Sequence, residues 1–376
     1  MVTGHRRPRV LLAVTFYNGR DFAQRTMESI ARLKRRDFDL DVLVLDDASP
    51  EPGFSDFLAD ASRETGAVYY RSPRNVGIPR NVNLGLATAQ RLDYDYVVIS
   101  NSDVIYADNS VQVLLDVISQ SPEAASVTAW STNVEPYSIP NGSELYVEAQ
   151  EVADAIGATL SSEFASETLE IPAGISFAMI IPVAVLGTVG LMDPVFGRGY
   201  GEESDWSARA TNAGYQHLLA HGAFVYHAGR GSTLPAGVIS KNHIADWGNQ
   251  QIVNHRSPMF RWSVDGFLRS PLLEQRQASA VRAIIRAAGR DAGYAVIDPA
   301  HDWADIDPSI VSVAIRSRTY ELCTAQWCGF TIDIDTDTIH VLGAVQAFFG
   351  GVAPVYTNLP VATWGSAERF GYPVGL

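Results

Sequence analysis

A mostly parallel α/β sheet flanked by helices is the fold class this sequence predicts, and three observations carry it. Between Arg9 and about Ser131, short β-branched runs alternate with amphipathic stretches, the pattern of successive βα units. Each strand-like run empties into polar, aromatic or turn-forming residues, as expected where strands meet a ligand edge. The composition, 47% apolar and 19% charged, is that of a globular protein, and 376 residues suffice for two domains.

The first strand, "VLLAVTF", ends at Thr15, Phe16, Tyr17 and Asn18, and the helical stretch "FAQRTMESIARL" follows it. "DVLVLD" ends at Asp46, Asp47, Ala48 and Ser49 before the helical "FSDFLADASRE". "AVYY" leads through Arg71 to Gly77 into the helical "VNLGLATAQRL", and "YVVIS" delivers Asn101, Ser102 and Asp103. Residues 134–170 are polar and acidic, with helical character at "SELYVEAQEVADAIGATL" and few strand signals. "GISFAMIIP" is a strand, Pro182 to Gly187 a short helical turn, and "GYGEESDWSARATNAG" a helix stopped by Gly214. "HLLAHGAFVYHAG" reads as two short strands around a turn, and "EQRQASAVRAIIRAAGR" as an amphipathic helix.

Charge and cysteine content narrow the function. A net charge of -14 gives no general attraction to nucleic acid or to an anionic membrane surface. Cys323 and Cys328 alone build neither a disulfide framework nor a zinc site. No apolar run reaches the roughly 18 residues of a spanning helix, and polar Tyr17 to Arg20 interrupt any amino-terminal apolar segment early. A cytoplasmic enzyme fits. A dehydrogenase does not, because no G-x-G-x-x-G follows the first strand, and no glycine-rich, lysine-bearing phosphate loop supports a nucleotidyltransferase.

The segments "VTFYN", "VLVLDDAS", "RNVGIPRNVNLGLATA", "VVISNSDV", "GLMDPVFGRGYGEESDWSARATNAGY" and "AFVYHAGRGS" stand in the order and approximate spacing of a family 2 glycosyltransferase. The chain resembles the rhamnosyltransferase-like and galactofuranosyltransferase-like branches of that family over positions 9 to 235. The resemblance implies a GT-A fold: a Rossmann-like, mostly parallel central sheet with flanking helices, here followed by a C-terminal extension of mixed or mainly helical structure. It divides the chain into a nucleotide-sugar-binding and catalytic domain, 1–235, and an extension, 236–376, for acceptor binding or oligomerisation.

Carried residue by residue, the resemblance places donor base and ribose contacts on Thr15, Tyr17 and Asp47, with Asp46 alternatively capping its turn through Ser49. Gly77 and Gly85 are the glycines of the pattern, expected to let backbone approach the ligand. Arg80 is either a diphosphate or base contact or a solvated residue in the first turn of a helix. Asn101-Ser102-Asp103 occupies the place of the family's Asp-x-Asp element, whose last acid binds a divalent cation on the donor diphosphate. Asn101 removes one charge from that element and leaves metal dependence open. His227 completes the metal or diphosphate site, and magnesium or manganese suits the ligands. Glu203 stands where the family has its catalytic base, with Asp205 as the second acid that would share the task.

The implied reaction is inverting transfer of a hexosyl or pentosyl group from a nucleoside-diphosphate sugar to a hydroxyl of a saccharide, lipid-linked saccharide or small molecule. Nucleic acid is not a partner, while peripheral membrane contact and a homo-oligomer are compatible with the sequence. The alternative is a catalytically silent GT-A-fold protein that binds nucleotide sugar, with Asn101 and Glu203 as marks of decay.

Overall fold

Apolar runs bounded by turn residues become the central strands, and amphipathic stretches become the helices that cover them. In the computed structural model, residues 6–139, 149–229 and 247–289 are described, together with five strands between 294 and 357. Contacts divide the chain into two units, residues 1–131 with 153–273, and residues 132–152 with 274–376.

The first unit holds β1 (Arg9–Phe16), α1 (Arg20–Ala31), β2 (Asp39–Asp46), α2 (Phe54–Thr65), β3 (Val68–Arg71), α3 (Ile78–Arg91) and β4 (Tyr96–Ser100). It continues with β5 (Val104–Tyr106), α4 (Ser110–Ser119), β6 (Ala124–Trp130), α5 (Gln150–Phe164), β7 (Thr168–Ile171), β8 (Ala178–Pro182) and α6 (Val185–Val189). The last elements are α7 (Glu202–Asn212), β9 (Gln216–His227), α8 (Trp247–Arg256) and α9 (Pro258–Leu268).

The strands form one sheet in the order β3-β2-β1-β4-β8-β6-β9-β5, with β7 also paired to β9. β3, β2, β1 and β4 run parallel, and β8 is antiparallel to both β4 and β6. β9 runs parallel to β6, whereas β5 and β7 oppose it. Most strands therefore point one way, and the carboxyl ends of β1, β2, β4 and β9 share an edge with the start of the reversed β8. This is the mostly parallel, helix-flanked architecture expected of a GT-A fold.

Burial follows from position in the sheet. β1 lies at its centre, and Val10, Leu12 and Val14 on one face and Leu11 and Ala13 on the other are all buried, which explains its unbroken apolar run. α3 lies on β1 through Gly85, where a β-carbon would sit 2.5 Å from Ala13 Cβ. Gly85 is thus a close helix-strand contact, not the ligand approach the sequence suggested.

β9 also departs from expectation. Instead of two strands around a turn it is one strand of 12 residues. Ala129 pairs with Ala220 while Trp130 pairs with Phe224, so a bulge absorbs the intervening residues, Gly222 among them. β7 lies in a region with few strand signals; as an edge strand paired only to β9, it needs little apolar content of its own. In the second unit, α10 (Pro271–Gly289) starts just upstream of the predicted helix. β10 (Tyr294–Ile297), β11 (Val311–Arg316), β12 (Thr319–Thr324), β13 (Trp327–Asp333) and β14 (Val355–Thr357) form a separate sheet in the order β13-β12-β11-β10-β14. No helix among the described residues is long and apolar enough to cross a membrane.

Candidate functional site

The shared edge of the first sheet is knit together by side chains from neighbouring loops. Thr15 donates from Oγ1 to the Ser100 carbonyl at 3.3 Å, linking the ends of β1 and β4. Beyond the partly buried Tyr17, the Asn18 N–H donates to Ser49 Oγ at 3.0 Å, and Asn18 Oδ1 accepts from the Glu51 N–H at 3.1 Å.

At the end of β2 the two aspartates diverge. Asp46 is fully buried and accepts from the Ser49 N–H at 2.9 Å, Ser55 Oγ at 2.6 Å and Tyr69 Oη at 2.9 Å, with Arg71 Nε 3.3 Å away. Burial alone would raise its pKa, but the donors from Ser55, Ser49 and Tyr69 outweigh burial and hold it below the usual range. It is the structural member of the pair. Asp47 accepts the Val76 N–H at 2.7 Å and the Gly77 N–H at 3.0 Å, clamping the loop that leads into α3. Burial raises the Asp47 pKa, partly offset by those two amides, and the charge of Asp46 adds to the rise. Gly77 has φ 83°, and a β-carbon there would lie 2.1 Å from the Gly197 carbonyl oxygen, so the loops around 77 and 197 meet backbone to backbone. Arg80 is exposed on the first turn of α3.

At the end of β4 the chain turns through Asn101, Ser102 and Asp103, and buried Thr26 of α1 secures the turn. Thr26 Oγ1 lies 2.8 Å from both the Ser102 and Val104 carbonyl oxygens and accepts from the Val104 N–H at 3.1 Å. His227, at the end of β9, brings Nε2 to 3.2 Å from Asp103 Oδ1 and 3.3 Å from Asn101 Nδ2. Among the described residues no cluster of three or more His, Cys, Asp or Glu side chains could hold a metal. Asp103 and His227 thus offer two donors, an oxygen and a nitrogen. Their 3.2 Å separation resembles the roughly 3 Å between neighbouring ligands of a six-coordinate ion with bonds near 2.1 Å. The pair fits a cation completed by substrate oxygens and water.

The start of α7 supplies the second acidic pair. Glu202 is buried, and its Oε2 has no hydrogen-bond partner. Burial and then the Glu203 charge push its pKa up to about 8, so it holds its proton at neutral pH. Glu203 accepts at Oε1 from the Ser176 N–H at 2.7 Å and also from the Ser176 hydroxyl. Burial raises its pKa, opposed by both Ser176 donors and by the nearby His227. Asp205 faces elsewhere: Arg209 Nε lies 2.9 Å from Oδ2 and Arg256 Nη1 3.1 Å from Oδ1. The guanidinium of Arg209 also donates to the Val189 and Leu191 carbonyls, and Trp206 Nε1 donates to the Gly190 carbonyl at 3.0 Å, anchoring α7.

Asn101, Asp103 and His227 therefore meet side chain to side chain, with Glu203 near enough to His227 to feel its charge, while Asp47 holds the loop at 76–77. Asp205 is occupied by two arginines, and Arg80 is on the surface. Sequence reasoning missed Thr26 and Ser176. A threonine on a buried helix face is a weak signal, and the partners of Ser176 lie too far along the chain to be read from it.

Residues 12–165, less than half of the chain, match the family model described as Glycosyl transferase family 2. No curated protein matches the sequence. Among solved structures the chain is similar to GalNAc-T7 with UDP, GalNAc and Mn2+, at 15% identity and a TM-score of 0.47 over 59% of this chain and 44% of that one. It thus spans less than half the length of GalNAc-T7. It is similar to the mannosyltransferase PcManGT from Pyrobaculum calidifontis in complex with GDP-Man and Mn2+, at 15% identity and a TM-score of 0.46 over 77% and 76% of the two chains. TarS 1-349 of S. aureus in complex with UDP-GlcNAc is 16% identical with a TM-score of 0.42, over 74% of this chain and 81% of that one.

Proposed function

We propose that residues 1–235 are the donor-binding and catalytic domain of a cytoplasmic, inverting glycosyltransferase of the rhamnosyltransferase-like or galactofuranosyltransferase-like kind. It moves a hexosyl or pentosyl group from a nucleoside-diphosphate sugar to an acceptor hydroxyl on a saccharide, a lipid-linked saccharide or a small molecule. The single observation that carries this reading is the meeting of Asn101, Asp103 and His227 at the carboxyl edge of the sheet, with Glu203 within reach of the His227 charge. The family match over residues 12–165 supports it.

Glu203 takes the proton of the acceptor hydroxyl, and the oxygen attacks the anomeric carbon from the face opposite the leaving group, so configuration inverts. Thr15, Tyr17, Asp47, Arg80 and Ser102 bind the donor's base, ribose and diphosphate, with Asn101 as a neutral polar contact. Asp103 and His227 would hold Mn2+ or Mg2+, which supplies positive charge to offset that gathering on the departing diphosphate. Asp205 sets the start of α7 through its arginines, leaving the proton transfer to Glu203.

The test is a thermal-shift screen of UDP-, dTDP- and GDP-sugars with and without Mn2+, followed by assay of nucleoside diphosphate release. One donor class raises Tm with Mn2+, by about 2.7 kcal/mol of added stability at a hundred times its Kd, and is turned over. Asp103→Ala abolishes the metal-dependent part. Binding without release would mark the silent alternative, and no shift with any donor would end the reading.

A further inference from the structure

Taking Glu203 as the base, we infer that Ser176 is a positioning residue for the transfer step: its N–H and hydroxyl both grip Oε1 of Glu203 and leave Oε2 to receive the proton. A glutamate has three rotatable bonds, and a base that wanders among rotamers is rarely aligned for attack. Two donors from one residue, converging on one oxygen, select a single orientation of the carboxylate.

Ser176 is itself firmly held. It is buried, and the preceding Ile175 N–H donates to Thr128 Oγ1 at 3.2 Å. A β-carbon on Gly174 would lie 2.2 Å from Met179 Sδ and 2.7 Å from Ser126 Oγ, so that part of the loop is packed tight. The following Phe177 carbonyl accepts from the Asn101 N–H at 3.3 Å and from Ser100 Oγ at 3.2 Å. The Phe177 ring lies 5.8 Å from the His227 ring. Four consecutive residues, 174–177, thus tie the base to the turn that carries Asp103 and to its histidine partner.

The experiment uses the full chain and whichever nucleotide sugar of the UDP, dTDP and GDP panel gives the largest Mn2+-dependent Tm rise. Nucleoside diphosphate release is followed for wild type, Ser176→Ala, Ser176→Thr, Glu203→Gln and the Ser176→Ala/Glu203→Gln pair. Ser176→Ala lowers kcat about tenfold to a hundredfold with the donor KM unchanged, and Ser176→Thr, which keeps the hydroxyl, recovers most of it. In the Glu203→Gln background Ser176→Ala adds no further loss, as expected of two groups acting as one unit. Should Ser176→Ala not fold, Ser176→Cys fills similar space with a weak donor and must also lower kcat. Wild-type kcat in folded Ser176→Ala or Ser176→Cys, or losses that multiply in the double variant, would overturn the inference. Full turnover in Glu203→Gln would instead remove the base assignment beneath it, so the two failures are distinct.

Discussion

Two pairs of adjacent carboxylates stand at the sheet edge, Asp46-Asp47 after β2 and Glu202-Glu203 at the start of α7, and they manage the same repulsion in opposite ways. The first pair is supplied with donors: hydroxyls and an amide for Asp46, two backbone amides for Asp47. The second is served unevenly: the backbone amides of Tyr200 and Glu202 reach the Glu202 carboxyl without offsetting its burial. Glu203 has both Ser176 groups, whereas Glu202 keeps a buried oxygen without a partner and retains its proton. Neighbouring acids in a sequence thus carry no fixed total charge; the donors around each one decide how much is expressed.

The largest effect that sharpens this contrast is on turnover. Glu203→Gln should lose about a hundredfold to ten-thousandfold in nucleoside diphosphate release while donor binding by calorimetry stays intact. A base must be ionised, so the wild-type rate falls with acid through its pKa. Burial holds that limb above the ordinary 4.5, and the limb disappears in the variant.

Next comes Asp46→Ala, which strips the acceptor from Ser49, Ser55 and Tyr69 and the counter-charge from Arg71. Chemical denaturation should show a loss of a few kcal/mol, about 1–3 for each donor left buried without an acceptor. At Glu202 the sign reverses. A carboxyl whose folded pKa is raised to about 8 from 4.5 withdraws stability as pH rises between those values, because only the unfolded chain ionises freely. Glu202→Gln should therefore be more stable than wild type at pH 8, on the order of 4 kcal/mol, and no more stable at pH 4. Equal stability at pH 8 would mean that Glu202 is not held neutral. The smallest effect is Asp47→Asn, which keeps one acceptor oxygen of two and should loosen the 76–77 loop by about 1–2 kcal/mol.

Much of this was legible in the sequence because it is local. Strand and helix periodicity, and Asp46 capping its turn through a residue three positions on, need only short stretches of chain. At Gly85 the sequence cannot distinguish one close neighbour from another, a ligand from a strand, and only the fold reveals Ala13 beneath it. At Gly222 the turn signal was real, but a bulge met it within one strand. The divergent fates of Glu202 and Glu203, and the reach of Arg256 to Asp205, depend on groups tens of residues away, beyond any periodic pattern.

The meeting of Gly77 with Gly197 has a mechanical outcome. No side chain lies between them to take up a displacement of either loop. A displacement at 197–201, immediately before α7, would press on Gly77, whose amide and that of Val76 are held by Asp47. Whatever moves one of these loops must therefore carry the other with it or part from it.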